Sequence, residues 1–242
     1  IARIRTDFPT KFGIPRQSGL ADVPARIVFE PEYRNADALR GIEEYSHLWL
    51  IWQFSEAVRE SWSPTVRPPK LGGNRRVGVF ATRSPFRPNA IGLSSVRLHR
   101  VEYGTHEGAV LHISGADLMD GTPIFDIKPY LAYTDSHPEA SGSFALAGDA
   151  VRVECAEGVL DALPQEKRET LLRVLAQDPR PGYQHEAGRI YGFPFGGFEV
   201  RFTVADGVLT VYCPTAVTKA MLDTEAVAAV LREVTGQSVG QA

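Results

Sequence analysis

Strand patterns follow one another through the first 130 residues, with almost no helical pattern between them. Short apolar and β-branched runs are separated by segments rich in Pro, Gly, Asn and Asp, which is typical of strands joined by turns. A doubly wound parallel sheet requires a helix in each crossover between strands, and this stretch lacks such helices. The pattern therefore predicts a mainly β protein with some α, built on an N-terminal closed β-barrel.

Six segments carry the clearest strand patterns in this part of the chain, namely residues 2–6, 25–30, 46–54, 91–103, 108–114 and 124–130. The third of them, SHLWLIWQF, is almost continuously apolar, so we expect it in the middle of the sheet. Between the second and the third, Asn35 is placed to cap a short helix that ends near Glu44.

A change of composition at residues 132–148, which are rich in Ser, Ala, Pro and Gly, indicates a domain boundary. We expect residues 1–140 to form the barrel and residues 141–242 to form a small α+β domain. In this second domain Asp161 can cap a helix over residues 162–177, and Asp206-Gly207 predicts a hairpin turn. A last amphipathic helix is predicted over residues 218–235.

The segment at residues 78–94, GVFATRSPFRPNAIGLS, is a long connection between strand-like runs. Pro85 and Pro88 fix their own φ and bias the preceding residues toward extended conformations, so a shaped loop is expected and not a helix. Arg83 and Arg87 project from this stiffened loop, where a planar guanidinium suits a carboxylate or a phosphate. The alternative is a proline-stiffened loop that carries two solvated arginines.

Basic residues concentrate around this loop, although the net charge of the chain is only -3. Residues 59–100 contain nine Lys or Arg and a single acidic residue, Glu60. Such asymmetry fits RNA or a phosphate-bearing small molecule as the partner. Any one of these arginines can instead pair with an acid elsewhere in the fold.

Ionisable side chains crowd the turn and strand near residue 120, namely Asp117, Asp120, Asp126, Lys128 and Tyr130. Asp126, Lys128 and Tyr130 share one face if their segment is a strand, because side chains alternate. Such a polar face can simply meet water, but beside a basic loop it can also line a pocket.

The motifs of several common sites are absent from the sequence. There is no GxGxxG after the first strand, no P-loop, no HExxH and no GxSxG, so a nucleotide on a Rossmann helix is not expected. The two cysteines and six histidines do not stand at metal-ligand spacing, and we expect no metal. No apolar run reaches the roughly 20 residues that span a bilayer and no secretory signal is evident, so we expect a cytoplasmic protein.

These stretches together resemble a known family, the TrmO (YaeB/TsaA-like) tRNA methyltransferases. The resemblance covers the first 135 or so residues in order, and its most specific part is residues 78–94. The other matching stretches are residues 11–17, 39–43, 46–49, 66–74, 117–123 and 126–130. The C-terminal part is also similar to the family, through residues 177–181, Tyr191 and residues 200–202.

The resemblance implies a non-Rossmann methyltransferase that uses S-adenosylmethionine on a β-barrel and acts as a homodimer. The implied substrate is N6-threonylcarbamoyladenosine beside the anticodon, methylated on N6, with the anticodon stem-loop of tRNA as partner. The chain departs from the family at Ser55, where a His is usual. By matching position, the implied cofactor-binding residues are Pro15, Arg16, Gln17, Ser55, Glu56, Arg83, Leu93, Ser114, Gly115, Ala116 and Asp117.

A base is needed for this chemistry because N6 is a poor nucleophile while it carries its proton. We expect Asp126, Tyr130 or Asp120 to accept that proton, with Lys128 assisting or holding the threonyl carboxylate. The arginines expected to hold RNA are Arg67, Arg75, Arg76, Arg87 and Arg180.

Two other functions remain open. One is a non-catalytic RNA-binding barrel, and the other is a hydrolase or lyase that uses paired carboxylates on a small phosphorylated substrate. The acidic residues between 117 and 130 argue against the first, because acids repel phosphate. Binding of S-adenosylmethionine distinguishes the three functions, since only the methyltransferase requires it.

Overall fold

The computed structural model describes residues 1–71, 74–142, 150–180, 184, 186 and 188–216. The described chain forms two compact units, the first from residues 1–6, 14–142 and 184, the second from residues 7–13, 150–180 and 186–216. Residues 7–13 thus belong to the second unit although barrel residues flank them in sequence. The division into domains at residue 140 stays a prediction, and the helix predicted over residues 218–235 lies outside the described residues.

The described elements are mainly strands. In chain order the strands are β1 (Ala2–Arg5), β2 (Pro24–Phe29), β3 (His47–Gln53), β4 (Thr65–Val66), β5 (Val77–Gly78), β6 (Ile91–Thr105), β7 (Gly108–Ser114), β8 (Pro123–Pro129), β9 (Arg152–Cys155), β10 (Tyr191–Phe195), β11 (Phe198–Ala205) and β12 (Val208–Ala216). The α-helices are α1 (Ala132–Asp135) and α2 (Gln165–Ala176). Short 3₁₀ turns lie at Pro31–Tyr33, Ala36–Leu39, Ile42–Glu44, Ser55–Ala57, Pro69–Leu71 and Val79–Ala81.

The first unit is a closed barrel with the strand order β1-β2-β7-β6-β3-β8. All of its neighbouring strands are antiparallel, and the barrel closes where Ala2 of β1 lies opposite Ile124 of β8. Because the sheet closes on itself, each of the six strands has a neighbour on both sides and none is an edge strand. The predicted fold class is confirmed, and the six predicted strand segments correspond to the six barrel strands.

Strand β3 lies between β6 and β8, which confirms its expected place within the sheet. Its side chains alternate, with Leu48, Leu50 and Trp52 buried in the barrel core and Trp49 and Ile51 half-buried on the outside. The aromatic run SHLWLIWQF therefore supplies both the core and an apolar outer face. Strand β8 has a register shift opposite Ile51 and Trp52, which changes which of its side chains face outward.

A glycine allows Trp52 to take its position in the core. Gly92 of β6 lies directly opposite Trp52, and a Cβ at Gly92 would be 2.3 Å from the indole ring. The ring can cover this part of β6 only because residue 92 has no side chain. The indole Nε1–H then donates to Ser94 Oγ at 3.0 Å, two residues further along β6.

The second unit contains a four-stranded sheet of order β10-β11-β12-β9, in which β12 and β9 are parallel. The predicted hairpin is confirmed, because Asp206 and Gly207 join β11 to β12 with φ values of 50° and 76°. Helix α2 buries Leu171, Val174 and Leu175, part of the predicted apolar stripe. The helix begins later than predicted.

Asp161 does not cap helix α2. Its carboxylate accepts from Arg168 Nη1 at 2.9 Å, and the N-cap residue is Pro164, which makes no side-chain cap. A second departure is the helix predicted to follow Asn35. Asn35 does accept from the Asp37 amide, as a cap should, but Gly41 at φ 86° separates two 3₁₀ turns. The left-handed glycine interrupts what would otherwise be one helix.

Within the part of the chain that the structure describes, helices are too short or too polar to cross a bilayer.

We expect Gly92→Ala to destabilise the protein by about 1–3 kcal/mol, because the new methyl group would overlap the Trp52 ring in a packed core. Urea unfolding followed by circular dichroism measures the change. Gly78→Ala is the matched control, since Gly78 has φ -58° and a Cβ there would meet no atom within 4 Å. Equal unfolding free energies for the two variants would contradict the role assigned to Gly92.

Candidate active site

A glycine contact joins two of the segments expected to bind the cofactor. The Gly19 amide donates to the Gly115 carbonyl at 2.9 Å, and the Gly115 amide donates to the Val23 carbonyl at 3.1 Å. Gly115 has φ 83°, and a Cβ there would lie 3.6 Å from the Gly19 backbone. The loop that contains Pro15, a buried residue, therefore packs against the turn that follows β7.

The loop at residues 78–94, which contains Pro85 and Pro88, contacts the same group of residues. Arg83 Nη1 donates to Gln17 Oε1, although 66 residues separate them in sequence. Arg83 is an exposed residue, so solvent and ligands can reach its side chain. Three expected cofactor segments, around Gln17, Arg83 and Gly115, are thus brought together at one end of the barrel.

Asp117 is the most buried carboxylate of this cluster. Ser94 Oγ donates to Asp117 Oδ1 at 2.5 Å, and the Ser18 backbone also hydrogen-bonds to this side chain. Burial raises the pKa of Asp117 above its ordinary value, while the hydrogen bond from Ser94 and the charge of Arg83 oppose that rise. Burial has the larger effect, so the neutral carboxyl is favoured more than in a solvated Asp.

The sequence alone did not indicate Ser94 and Trp52 as part of this site. The Ser94 side chain is fully buried, and it accepts from Trp52 Nε1 while it donates to Asp117. This chain of hydrogen bonds fixes the orientation of the Asp117 carboxylate from within the barrel core. Finding it requires the register of β3 against β6, which one sequence does not reveal.

Ser114 has a partner of its own. Its buried hydroxyl lies 2.8 Å from His99 Nε2, a ring nitrogen of β6. A register shift between Leu98 and Arg100 leaves His99 unpaired in the ladder, where its ring can reach β7. The turn at residues 114–117 is therefore supported on both sides, by Ser94 and by His99.

Leu93 lies on the other face of β6 from Ser94, because adjacent side chains of a strand point to opposite faces. Its side chain is 58% exposed and lines an outer groove of about 340 Å³. The other lining residues are Trp49, Ile51, Lys128, Thr134, Asp135 and His137. The Leu93 side chain is thus separated from the Asp117 cluster.

Ser55 and Glu56 begin a 3₁₀ turn directly after Phe54, and both are exposed. The Phe54 ring packs on Trp52 with centroids 4.3 Å apart, which connects this turn to the core beneath the site. Arg16 and Gln17 lie in the loop described above, with Arg16 exposed.

Of the expected catalytic residues, Asp126, Lys128 and Tyr130 lie on the outer face near the groove. Lys128 is opposite Trp49 and Asp126 is opposite Ile51 in the β3–β8 ladder. The Tyr130 ring lies 5.3 Å from the Trp49 ring, on the same side of the sheet.

Asp120 lies elsewhere and has structural partners. Its Oδ1 accepts from the Thr6 amide at 3.0 Å, and its Oδ2 is 3.9 Å from Arg5 Nη1. This placement favours a structural role over that of a general base.

Asp135 is a carboxylate of the groove that sequence reasoning missed. Its Oδ2 accepts from the Leu131 amide at 3.0 Å and from Trp49 Nε1 at 2.8 Å. The backbone hydrogen bond from Leu131, followed by that from Trp49, lowers the pKa of Asp135 below its ordinary value. Asp135 therefore remains ionised at neutral pH and orients the Trp49 ring.

The expected RNA-binding arginines fall into two groups. Arg67 and Arg75 are exposed, and so is Arg76, whose Nη1 donates to Thr65 Oγ1 at 3.3 Å. Arg87 instead holds its own loop, because its Nη1 donates to the carbonyls of residues 79, 82 and 84 at 3.5, 2.8 and 3.5 Å.

Arg180, like Arg87, already donates to acceptors within the protein. It forms two hydrogen bonds of 2.8 Å to the Asp178 carboxylate, and its side chain is only 12% exposed. Its position favours a structural role over contact with RNA. Among the residues that the structure describes, no group of His, Cys, Asp or Glu is arranged to hold a metal ion.

Comparison with known proteins gives a consistent result for both parts of the chain. Residues 3–136 match the family model of the tRNA-methyltransferase O N-terminal domain, and residues 149–213 match that of the TrmO C-terminal domain. The tRNA (adenine(37)-N6)-methyltransferase of Escherichia coli K12 is 43% identical over 223 residues, which cover 88% of this chain and 94% of that protein.

Two further relatives come from Pseudomonas aeruginosa. One is 43% identical over 213 residues, covering 84% of this chain and 90% of that protein, and its name places it among S-adenosylmethionine-dependent methyltransferases. The other is a crystal structure of TrmO, with a TM-score of 0.71 and 35% identity, covering 89% of this chain and 94% of that one.

We expect Asp117→Asn to become more stable relative to the wild type as pH rises above about 4. Because the folded-state pKa of Asp117 is raised, the stability that this carboxyl contributes is complete at low pH and is lost as pH rises from the unfolded pKa of about 3.9 through the folded one. Asn keeps the neutral form throughout. Urea unfolding of both proteins between pH 4 and about 8 measures the difference, and a constant difference would refute the raised pKa.

Proposed function

The chain belongs to the TrmO family of S-adenosylmethionine-dependent tRNA methyltransferases, and from this we propose that it methylates N6 of N6-threonylcarbamoyladenosine beside the anticodon. The protein is a tRNA (adenine-N6)-methyltransferase, since it aligns with almost the full length of the E. coli enzyme of that activity. The RNA-binding barrel and the hydrolase or lyase are set aside on the same ground. What we propose beyond this activity is that the substrate adenosine carries a threonylcarbamoyl group and that the enzyme binds the anticodon stem-loop of the tRNA.

One observation supports the assignment of the cofactor site most directly. Residues from three distant segments, Gln17, Arg83 and Asp117, are connected through hydrogen bonds and charge at one end of the barrel. Arg83 combines a fixed position with exposed donors, which suits the carboxylate of an amino acid. Within the turn at residues 114–117, Gly115 is already bonded to Gly19 and Val23, so the backbone groups of Ala116 and Asp117 are the ones that suit the edge of an adenine. This set of donors fits S-adenosylmethionine.

We propose that Arg83 and Gln17 hold the amino-acid end of the cofactor and that the turn from Ser114 to Asp117 holds the adenine. Pro15, Arg16, Ser55 and Glu56 complete the proposed site, whereas Leu93, which the resemblance also assigns to the cofactor, faces the outer groove. S-adenosylmethionine supplies an activated methyl group on a sulfonium sulfur. The residues of this chain must therefore bind, exclude water and align the N6 nitrogen with the carbon to be transferred.

The N6 nitrogen loses one proton as it gains the methyl group, so a proton acceptor is needed beside it. We propose Asp126 or Tyr130 for this role, because both lie near the outer groove that Leu93 and Lys128 line. Asp120 is removed from the proposed set, since the Thr6 amide and Arg5 occupy its oxygens. Lys128 is exposed and can hold the threonyl carboxylate.

We also propose that the active form is a homodimer. The outer face of the barrel carries exposed apolar side chains outside the groove that Leu93 lines, with Ile91 at 47% and Phe125 at 44% exposure. Exposed apolar residues grouped on a strand face are typical of subunit interfaces. Sedimentation equilibrium of the wild type gives the mass directly, and a monomer at micromolar concentration would exclude the homodimer. With tRNA as substrate, we place the protein in the cytoplasm.

We expect Arg83→Ala to lower the affinity for S-adenosylmethionine on the order of 10-fold or more, because a charge-assisted hydrogen bond to the cofactor is lost. Isothermal titration calorimetry measures this affinity. Arg75→Ala is the contrasting variant, since Arg75 is exposed and does not belong to the group formed by Gln17, Arg83 and Asp117. It should bind S-adenosylmethionine as the wild type does and raise KM for tRNA. Weakened cofactor binding in both variants, or in neither, would contradict the assignment of Arg83.

We expect Asp126→Asn or Tyr130→Phe to lower the single-turnover rate of methyl transfer about 10²-fold or more, because a general base contributes at least this much. Affinity for S-adenosylmethionine should not change. Asp37→Asn is the control, since Asp37 is an exposed carboxylate paired with Arg40. Wild-type rates for both variants would show that neither side chain is the base.

A further inference from the structure

Two large aromatic side chains stand in solvent beside the proposed active site. Phe80 is 72% exposed and Trp62 is 51% exposed, and their ring centroids lie 6.0 Å apart at 36°. Phe80 precedes Arg83 by three residues, so their Cα atoms lie within about 11 Å. We call Trp62 and Phe80 together the aromatic surface.

The aromatic surface is held by rigid neighbours and is not a loop tip with free ends. Val79 beside Phe80 is fully buried, and its amide donates to the Pro64 carbonyl at 2.9 Å. The short ladder of β4 with β5 follows Pro64, and Arg87 binds the carbonyls on either side of Phe80. A ring held in solvent by so many contacts loses little freedom when a ligand covers it.

The surroundings of the aromatic surface are basic. Arg67, Arg75 and Arg76 are exposed on the connection between β4 and β5, and Arg76 Nη1 donates at 3.3 Å to Oγ1 of Thr65, three residues after Trp62 in the sequence. Arg59 lies over the Phe86 ring, 4.0 Å from its centroid. Residues 59–100 contain a single acid, so the potential there attracts phosphates. Aromatic rings among cations are the combination that binds unpaired nucleic acid.

We propose that an unpaired base of the tRNA, next to the base that is methylated, stacks on the aromatic surface while Arg67, Arg75 and Arg76 hold the backbone. This proposal rests on the proposed function and deepens it. It gives the enzyme a second contact to the RNA, separate from the methylation site. The contact positions the target base because Phe80 and Arg83 share one rigid loop.

Alanine substitution of Phe80 provides the first test. The full-length protein is titrated with a synthetic anticodon stem-loop RNA, and the dissociation constant is measured at several salt concentrations. Phe80→Ala should weaken binding by about 5-fold or more, as expected for loss of one base stack, with the salt slope unchanged. Arg75→Ala should reduce that slope by about 1, because it releases fewer counterions. Phe80→Trp, which keeps an aromatic ring at residue 80, should bind the RNA as tightly as the wild type does.

Tyr33→Ala is the matched control, because Tyr33 is an exposed aromatic residue (44%) on a 3₁₀ turn outside this region. It should bind RNA as the wild type does. A stem-loop with an abasic site beside the target adenosine gives the second test. The abasic RNA should bind the wild type more weakly than the complete RNA, but should bind Phe80→Ala as well as the complete RNA does.

Three results would overturn the proposal. The first is that Phe80→Ala binds the complete RNA as tightly as the wild type does. The second is that Phe80→Ala weakens binding of the abasic RNA as much as binding of the complete RNA. The third is that Phe80→Ala is a monomer under conditions in which the wild type is a dimer. The last would make the aromatic surface a subunit contact. Failure of the proposed function is distinguishable, because the wild type would then not methylate tRNA, whereas failure of this proposal leaves wild-type methylation intact.

Discussion

Closure of the barrel is the constraint on which the proposed site depends. When β1 pairs with both β2 and β8, six strands share one core and the connections between them are forced to the ends of the barrel. Segments around Gln17, Arg83 and Gly115 meet there although up to about 100 residues separate them in sequence. An open sheet would give these loops no common place. The chemistry therefore relies on a topology that brings distant loops together and not on a compact motif.

The strands could be predicted from the sequence because their apolar patterns are local and their turns carry Gly, Pro and Asp. The hairpin at Asp206-Gly207 is an example, since its two residues adopt the left-handed conformations that such a turn needs. Interactions that depend on register could not be predicted. Ser94 looks like a polar residue in a strand until its place beside Trp52 and Asp117 is known. Likewise, Asp161 is well placed to cap a helix but binds Arg168 instead.

The arginines of the chain show how one residue type takes several roles. Arg83 is exposed and donates to Gln17, Arg87 uses one nitrogen on three carbonyls of its own loop, and Arg180 is enclosed with Asp178. The family resemblance places Arg83 at the cofactor and Arg87 and Arg180 at the RNA, but the sequence around Arg87 and Arg180 does not show that both already bind acceptors within the protein. The difference arises from the acceptors that the fold places within reach. An arginine that has already met its acceptors has little capacity left for a ligand.

Residues 7–13 give the chain a path that crosses between its two units and returns. Phe8 is fully buried against Phe195, and Lys167 pairs with Asp7, all within the second unit. Gly13 leaves room for the Phe193 ring where any side chain would collide with it. The two units are therefore not separable by one cut in the chain. A shortened protein that ended near residue 140 would keep the barrel strands but expose Phe8, and the remaining C-terminal piece would lack a part of its own core.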